Sequence, residues 1–368
     1  MSTDAAPQPD PAMSSRSALV DFFSRSLTAF QSSKDAFRVV GTLPRKSTAT
    51  TLTGNDGGDT ALVPRRPDGK RPVKSLVVLD SSFNPPTLAH LRMAVSAIRG
   101  LQGRRGKESA AGASEAGAAR GPGGPVRLLL LLAVNNADKK PKPAAFSVRL
   151  GLMYAFAADL RDELRRTDAA TSLREDSVGI PQEVAEKVEI DVDFGLTAMP
   201  YFHDKSQAIS DAKFYAQEDG EEGEPEQVYL AGYDTLIRIF NPKYYNAPSA
   251  STGSDEGPEV VAPIRRALDP FLGRSKLRIT MRTDDEWGDE GEQVAYLRGL
   301  RDGGLEEVGG RGNWAERVEM VRGREDGEEV VSSTKVREAA SKGDAETLGR
   351  LLSSRVKQWV LEEGLYRE

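Results

Sequence analysis

Two short segments carry residue types and spacings suited to handling phosphate. The first is Asp80-Ser81-Ser82-Phe83-Asn84-Pro85-Pro86-Thr87-Leu88-Ala89-His90. It follows an apolar run, Lys74–Asp80, and leads into a helical pattern. Thr87 and His90 are three residues apart, so both can share one face of a first helical turn. Two hydrogen-bonding side chains beside the free amide groups of a helix N-terminus make a cradle for an anion. A histidine held for packing alone fits the same position. The second segment is Val331-Ser332-Ser333-Thr334-Lys335-Val336-Arg337. Ser and Thr supply N-cap oxygens. The first turn then carries Lys335 and Arg337 before any acid, whereas an acid usually answers the helix dipole there. A bound anion explains that order, and a plain capped helix also accommodates it.

These segments need elements to position them. Apolar, β-rich runs at 74–80, 126–134, 188–192, 227–232, 276–282 and 317–321 predict strands. Helical patterns are expected at about 88–99, 144–165 and 234–240, and three more close the chain. Strands alternating with helices predict an α/β protein: a Rossmann-like, doubly wound parallel sheet of five to six strands with helices on both faces. In such a sheet ligands bind outside the carboxyl ends of the strands. That is where both segments fall.

Residues 1–73 read as an N-terminal extension. It carries one amphipathic helix at about 17–32, a short strand candidate at 37–40 and a polar linker at 45–70. Residues 74–368 read as the main domain, interrupted by low-complexity or polar insertions at about 101–125, 216–226, 247–259 and 283–313. Trp287 in the last of these and Trp314 at its end suggest packing or surface roles. Trp359, at apolar helical spacing, belongs to the core.

Composition narrows the chemistry. The absence of cysteine removes disulfides, thiolate metal sites and cysteine nucleophiles, and two histidines cannot build a histidine-rich metal site. A net charge of −6 gives no general attraction to nucleic acid. No apolar run reaches the roughly 18 residues of a membrane span. A cytoplasmic or nuclear location is expected, because acids and prolines stand where a secretory peptide has basic and apolar residues. Oligomeric state is not legible.

Taken together, the two segments resemble the nucleotidylyltransferase superfamily, in particular the nicotinamide mononucleotide adenylyltransferases. That family carries GSFNPxTxxH near its start and ISSTxxR near its end; the counterparts here are SSFNPPTLAH and VSSTKVR. The stretch AVNNADKKPKPAAFSVRL and the later LAGYDTL also resemble family segments, as does the closing EEGLY. The N-terminal extension is similar to that of fungal members.

The resemblance implies adenylyl transfer from ATP to nicotinamide mononucleotide, giving NAD and pyrophosphate, with Mg²⁺ accompanying ATP. It implies a catalytic group of His90, Thr87 and Arg337. ATP would be held by Ser82, Phe83, Asn84, His90, Gly232, Asp234, Ser332, Ser333, Thr334 and Arg337. Lys139, Lys140 and Arg149 would anchor the mononucleotide phosphate, and no protein side chain is implied as a metal ligand. Two departures stand out. Ser81 replaces the motif glycine, and the tryptophans that stack on the nicotinamide ring are absent after the third strand, where Tyr201, Phe202 and His203 offer substitutes. They keep open the same fold acting on another phosphate-bearing substrate or hydrolysing ATP, and a non-catalytic nucleotide-binding adaptor.

Overall fold

The computed structural model describes residues 11–45, 62–68, 72–110, 125–134, 143–174, 189–216, 223–245, 261–282, 287–323 and 328–367. Continuous apolar runs become strands covered on both faces, as parallel sheets require. Seven strands form one sheet: β1 (Phe37–Leu43), β2 (Ser75–Asp80), β3 (Val126–Ala133), β4 (Val192–Thr197), β5 (Glu226–Gly232), β6 (Ser275–Thr280) and β7 (Val318–Val321). Their order is β1-β4-β3-β2-β5-β6-β7. Only β1 runs antiparallel, against β4. The expected count of five to six parallel strands is therefore corrected to six parallel strands plus an antiparallel edge strand from the N-terminal segment. The strand expected at 188–192 lies later, at Val192–Thr197. The polar alternation of VEIDV drew the expectation to the edge of the run rather than its buried centre.

Eleven α-helices flank the described sheet. They are α1 (Pro11–Gln31), α2 (Leu88–Ala110), α3 (Phe146–Arg174), α4 (Phe202–Asp211), α5 (Tyr233–Ile239), α6 (Pro263–Arg274), α7 (Glu290–Gly299), α8 (Leu305–Glu307), α9 (Ser333–Ser341), α10 (Ala345–Leu351) and α11 (Ser354–Glu362). Strand alternation divides the interior into two cores. Leu128, Leu130 and Leu132 face α2, α3 and the C-terminal helices, while Leu129 and Leu131 face α4 and α6.

The N-terminal segment is built into this body. Phe23 and Phe30 of α1 are buried, and Arg16 of α1 pairs with Glu362 and lies 5.6 Å over the Trp359 ring. Trp359 in turn packs against α3 where Gly151 leaves room; a Cβ there would lie 2.6 Å from the indole. A buried network fastens β1. Arg127 donates to both Asp193 oxygens at 2.6 and 2.8 Å, and Thr42 and Tyr215 donate to the same carboxylate at 2.6 and 2.9 Å. Arg127 also donates to the Arg65 carbonyl, which ties residues 62–68 to the sheet.

Residues 287–313, expected outside the core, contribute to it. Leu300 and Leu305 are buried, as is Trp314, whose Nε1 donates to Asp269 at 3.0 Å. The Gly-rich, charged composition of the stretch hid a few apolar anchors. Of the other expected insertions, residues 111–124, 217–222 and 246–260 lie outside the described residues.

Candidate functional site

Strands β2 and β5 are neighbours, and the chain leaves them toward β3 on one side and β6 on the other. This is the topological switch point, where a crevice opens outside the carboxyl ends of an open α/β sheet. Asp80 ends β2 there and Gly232 ends β5.

The segment after β2 turns sharply to reach α2. Phe83 sits in the turn with φ of 44°, a conformation uncommon for a bulky residue, and its ring is fully buried at 5.8 Å from the His90 ring. His90 falls in the first turn of α2. Its Nδ1 accepts from the Thr87 backbone N–H at 3.0 Å and lies 2.9 Å from the Thr87 hydroxyl. A backbone N–H can only donate, so the ring proton of neutral His90 resides on Nε2. That atom lies 2.9 Å from the Ser81 hydroxyl. Burial lowers the His90 pKa to about 4. The free protein at neutral pH therefore carries an uncharged imidazole whose Nε2–H is the donor.

The late segment docks directly on the early one. Helix α9 begins at Ser333, and the Ser332 side chain caps it by accepting from the Lys335 N–H at 3.2 Å. Ser333 donates from its hydroxyl to the Pro85 carbonyl at 2.9 Å. Arg337 donates to the Asn84 carbonyl at 2.9 Å and to the Thr334 hydroxyl at 3.1 Å. No acid stands in the first turn of α9. Arg149, near the start of α3, is buried; its Nε donates to the Ala144 carbonyl at 2.9 Å, and its guanidinium lies 4.9 Å over the Phe146 ring. Burial lowers its pKa, the Tyr366 phenol acts the other way, and the Arg337 charge adds to the lowering. Among the described residues, neither Arg149 nor Arg337 pairs with a carboxylate. Two cations without a carboxylate partner beside a helix N-terminus make this end of the sheet electrostatically favourable for an anion.

The structure thus gathers His90, Thr87, Asn84, Ser332, Ser333, Thr334, Arg337 and Arg149 around one end of the sheet, with Ser82 exposed on the turn and Phe83 beneath it. Gly232 and Asp234 stand at the next strand end, where Asp234 accepts from Arg282 at 3.3 Å. A side chain at position 232 would lie 2.7 Å from the Asp234 carboxylate, so the glycine leaves that carboxylate its place. Lys139 and Lys140 lie outside the described residues.

Three features were not found by sequence reasoning. Asp80 forms a buried ion pair with Lys205 of α4 at the crevice floor. The Tyr366 hydroxyl donates to Asn84 Oδ1 at 3.0 Å. Tyr245 joins the residues after β4: the Tyr201 and His203 rings stack at 5.6 Å and 6°, and His203 lies 5.5 Å from Tyr245. Burial lowers the His203 pKa, against the opposing Asp204 charge. Phe202, grouped with Tyr201 and His203 in the sequence, turns inward against Tyr229 instead. Helical spacing of Phe202, Ser206 and Ile209 was a usable signal for α4, and hence for Lys205. The closing EEGLY contains Tyr366 but does not announce its contact with Asn84, and nothing local marks Tyr245.

Among the described residues, no helix is long and apolar enough to cross a membrane, and no group of three or more His, Asp or Glu side chains could hold a metal ion.

Strand order and docked helix starts define an α/β protein with a crevice at the switch point, lined by Arg149, Arg337 and the start of α9. The chain is 28% identical over 283 residues to a "Putative nicotinamide mononucleotide adenylyltransferase" of Schizosaccharomyces pombe, covering 77% of this chain and 82% of the relative. No protein-family model matches it. Solved structures similar to it include a Plasmodium falciparum nicotinic acid mononucleotide adenylyltransferase complexed with NaAD, at 10% identity and TM-score 0.38. The same enzyme complexed with APC gives 10% and 0.35; each match covers 80% of this chain and 97% of the other. At those scores the fold description rests on the strand order itself.

Proposed function

We propose that the chain is a nucleotidyltransferase that joins ATP and nicotinamide mononucleotide to give NAD and pyrophosphate, a step of pyridine nucleotide biosynthesis. The observation that carries this reading is the docking of the two motifs: Ser333 on Pro85 and Arg337 on Asn84, beside an imidazole with its Nε2–H available to an anion.

In the proposed reaction an oxygen of the mononucleotide phosphate attacks the α-phosphorus of ATP. The bond from that phosphorus to the bridging oxygen breaks in line, and pyrophosphate leaves with the negative charge. Such a step needs positioning and charge neutralisation rather than a protein nucleophile. His90 Nε2–H donates to the α- and β-phosphates, with Thr87 fixing the ring through Nδ1. Ser332, Ser333, Thr334 and the α9 amide groups take the β- and γ-phosphates together with Arg337. Asn84, Ser82 and Phe83 form the turn under the polyphosphate, and Gly232 and Asp234 border the ribose. Arg149, with Lys139 or Lys140, anchors the mononucleotide phosphate. The exposed Tyr201 ring, with His203 and Tyr245, suits the pyridine ring. Mg²⁺ would be held by phosphate oxygens and water, consistent with its usual habit, and would neutralise charge on the leaving pyrophosphate.

The test is product formation from ATP with a panel of acceptors: nicotinamide mononucleotide, its nicotinic acid counterpart, and unrelated phosphate monoesters. Dinucleotide and pyrophosphate in equal amounts from the pyridine mononucleotides are expected. ATP breakdown without dinucleotide, or preference for an unrelated monoester, would refute the reading.

A further inference from the structure

After α11 the chain turns back toward the crevice. Gly364 and Tyr366 both have left-handed backbone, with φ of 58° and 68°. A tyrosine adopts that region rarely, and holds it only where its surroundings determine it. Here Gly364 N–H donates to Leu361 at 3.3 Å and Leu365 N–H to Val360 at 3.0 Å, while Leu365 packs on the core beside Tyr366. The turn delivers the Tyr366 hydroxyl to Asn84 Oδ1 at 3.0 Å. The main-chain carbonyl of the same Asn84 is held by Arg337 at 2.9 Å. One residue of the early motif is thus gripped through its backbone from α9 and through its side chain from the C-terminal tail. The charges of Arg149 and Arg337 both act on the phenol, and burial nevertheless keeps it neutral by raising its pKa. It is a hydrogen-bond donor throughout the physiological range.

We infer that Tyr366 is a positioning residue for the nucleotide: by holding Asn84 Oδ1 it fixes the carboxamide so that its NH₂ end faces away from the tail, and it closes the Arg149–Arg337 anion site from the C-terminal side. A carboxamide has one accepting and one donating end, so fixing one fixes the other. This inference rests on the ATP site proposed above and adds a residue from outside both motifs.

Tyr366→Phe removes the hydroxyl and keeps the ring. ATP affinity is measured by calorimetric titration in the wild type, Tyr366→Phe, Asn84→Ala and the double variant, with melting temperature for each. Loss of one neutral hydrogen bond predicts roughly three- to tenfold weaker ATP binding for Tyr366→Phe, with the melting temperature lowered by about 2–4 °C at most. In the Asn84→Ala background the same change should cost nothing further, because the group that it positions is gone. Wild-type ATP affinity in Tyr366→Phe overturns the inference, whether or not melting falls. An undiminished loss in the Asn84→Ala background also overturns it, since Tyr366 would then act without Asn84. A wild type that binds no ATP removes the proposed function and this inference together.

Discussion

Replacing Arg337 with lysine keeps the charge and removes the fork. In the structure the guanidinium bridges the Asn84 carbonyl at 2.9 Å and the Thr334 hydroxyl at 3.1 Å, with no carboxylate partner among the described residues. A lysine ammonium is a single point donor and cannot meet both acceptors in that geometry. A hydrogen bond from a charged donor contributes about 1.5–3 kcal/mol. Arg337 is partly exposed, so the lower end applies, and one lost bond between the motifs should cost about 1.5 kcal/mol of stability. With ATP bound, the lysine also forfeits the parallel pair of bonds that a guanidinium makes to phosphate. At about 1.4 kcal/mol per decade, ATP affinity should fall about tenfold or more, while affinity for the mononucleotide alone should change little. Calorimetric titration with each ligand separately, and denaturant unfolding of both proteins, measure these quantities. Unchanged ATP affinity, or an equal loss for both ligands, would refute the assignment of Arg337 to the polyphosphate.

The lowered pKa of His90 sets a pH dependence. Between its folded value of about 4 and its ordinary value of 6.5 the unfolded chain binds a proton that the folded protein refuses. Stability should therefore fall as pH drops through that window, by at most about 1.4 kcal/mol per unit from this residue. His90→Asn should flatten the dependence in urea unfolding between pH 7.5 and 4.5, and an unaltered slope would count against it. Asp193→Asn should leave the buried Arg127 charge with only the more distant Asp191 carboxylate, 3.8 Å away, and cost about 3 kcal/mol of unfolding free energy, the low end for a broken buried pair. Replacing Arg127 and Asp193 together by Met and Leu should cost less. A milder effect of the single substitution would show that water reaches the pair.

The parallel strands were legible because LVVL, LLLLL and VYLA are too apolar to lie anywhere but a sheet covered on both sides. The early and late motifs were legible because their chemistry is local: Thr87 and His90 share one helical turn, and Ser332 caps the helix that carries Arg337. Their mutual contact was not. The Ser333–Pro85 bond joins residues 248 apart, which no periodicity announces. β1 was legible only as a short candidate at 37–40; its full length and its place in the sheet were not, for a different reason. Six of its seven residues pair with β4, Val40 standing at the bulge between Val39 and Gly41, and its register depends on a partner far along the chain. The same holds for Tyr366, whose role comes from a left-handed turn in the tail rather than from its neighbours in sequence.

Ser81 is where this chain departs from the motif, and the structure gives that departure a consequence. Its hydroxyl lies 2.9 Å from His90 Nε2, the donor that the proposed reaction directs at phosphate. In the free protein the hydroxyl is the acceptor for that N–H, since Nδ1 is already engaged by the Thr87 backbone. It thereby reinforces the Nε2–H tautomer that the chemistry needs. ATP must then replace a neutral acceptor with an anionic one. A neutral hydrogen bond contributes about 0.5–1.5 kcal/mol and one to a charged group about 1.5–3 kcal/mol, so the exchange favours the nucleotide. A glycine at position 81 would leave the imidazole without this partner, with Thr87 alone setting its tautomer. In the proposed reaction the serine would therefore exchange part of the binding strength for a histidine oriented before ATP arrives, a preorganisation whose benefit would fall on the bond-breaking step rather than on affinity.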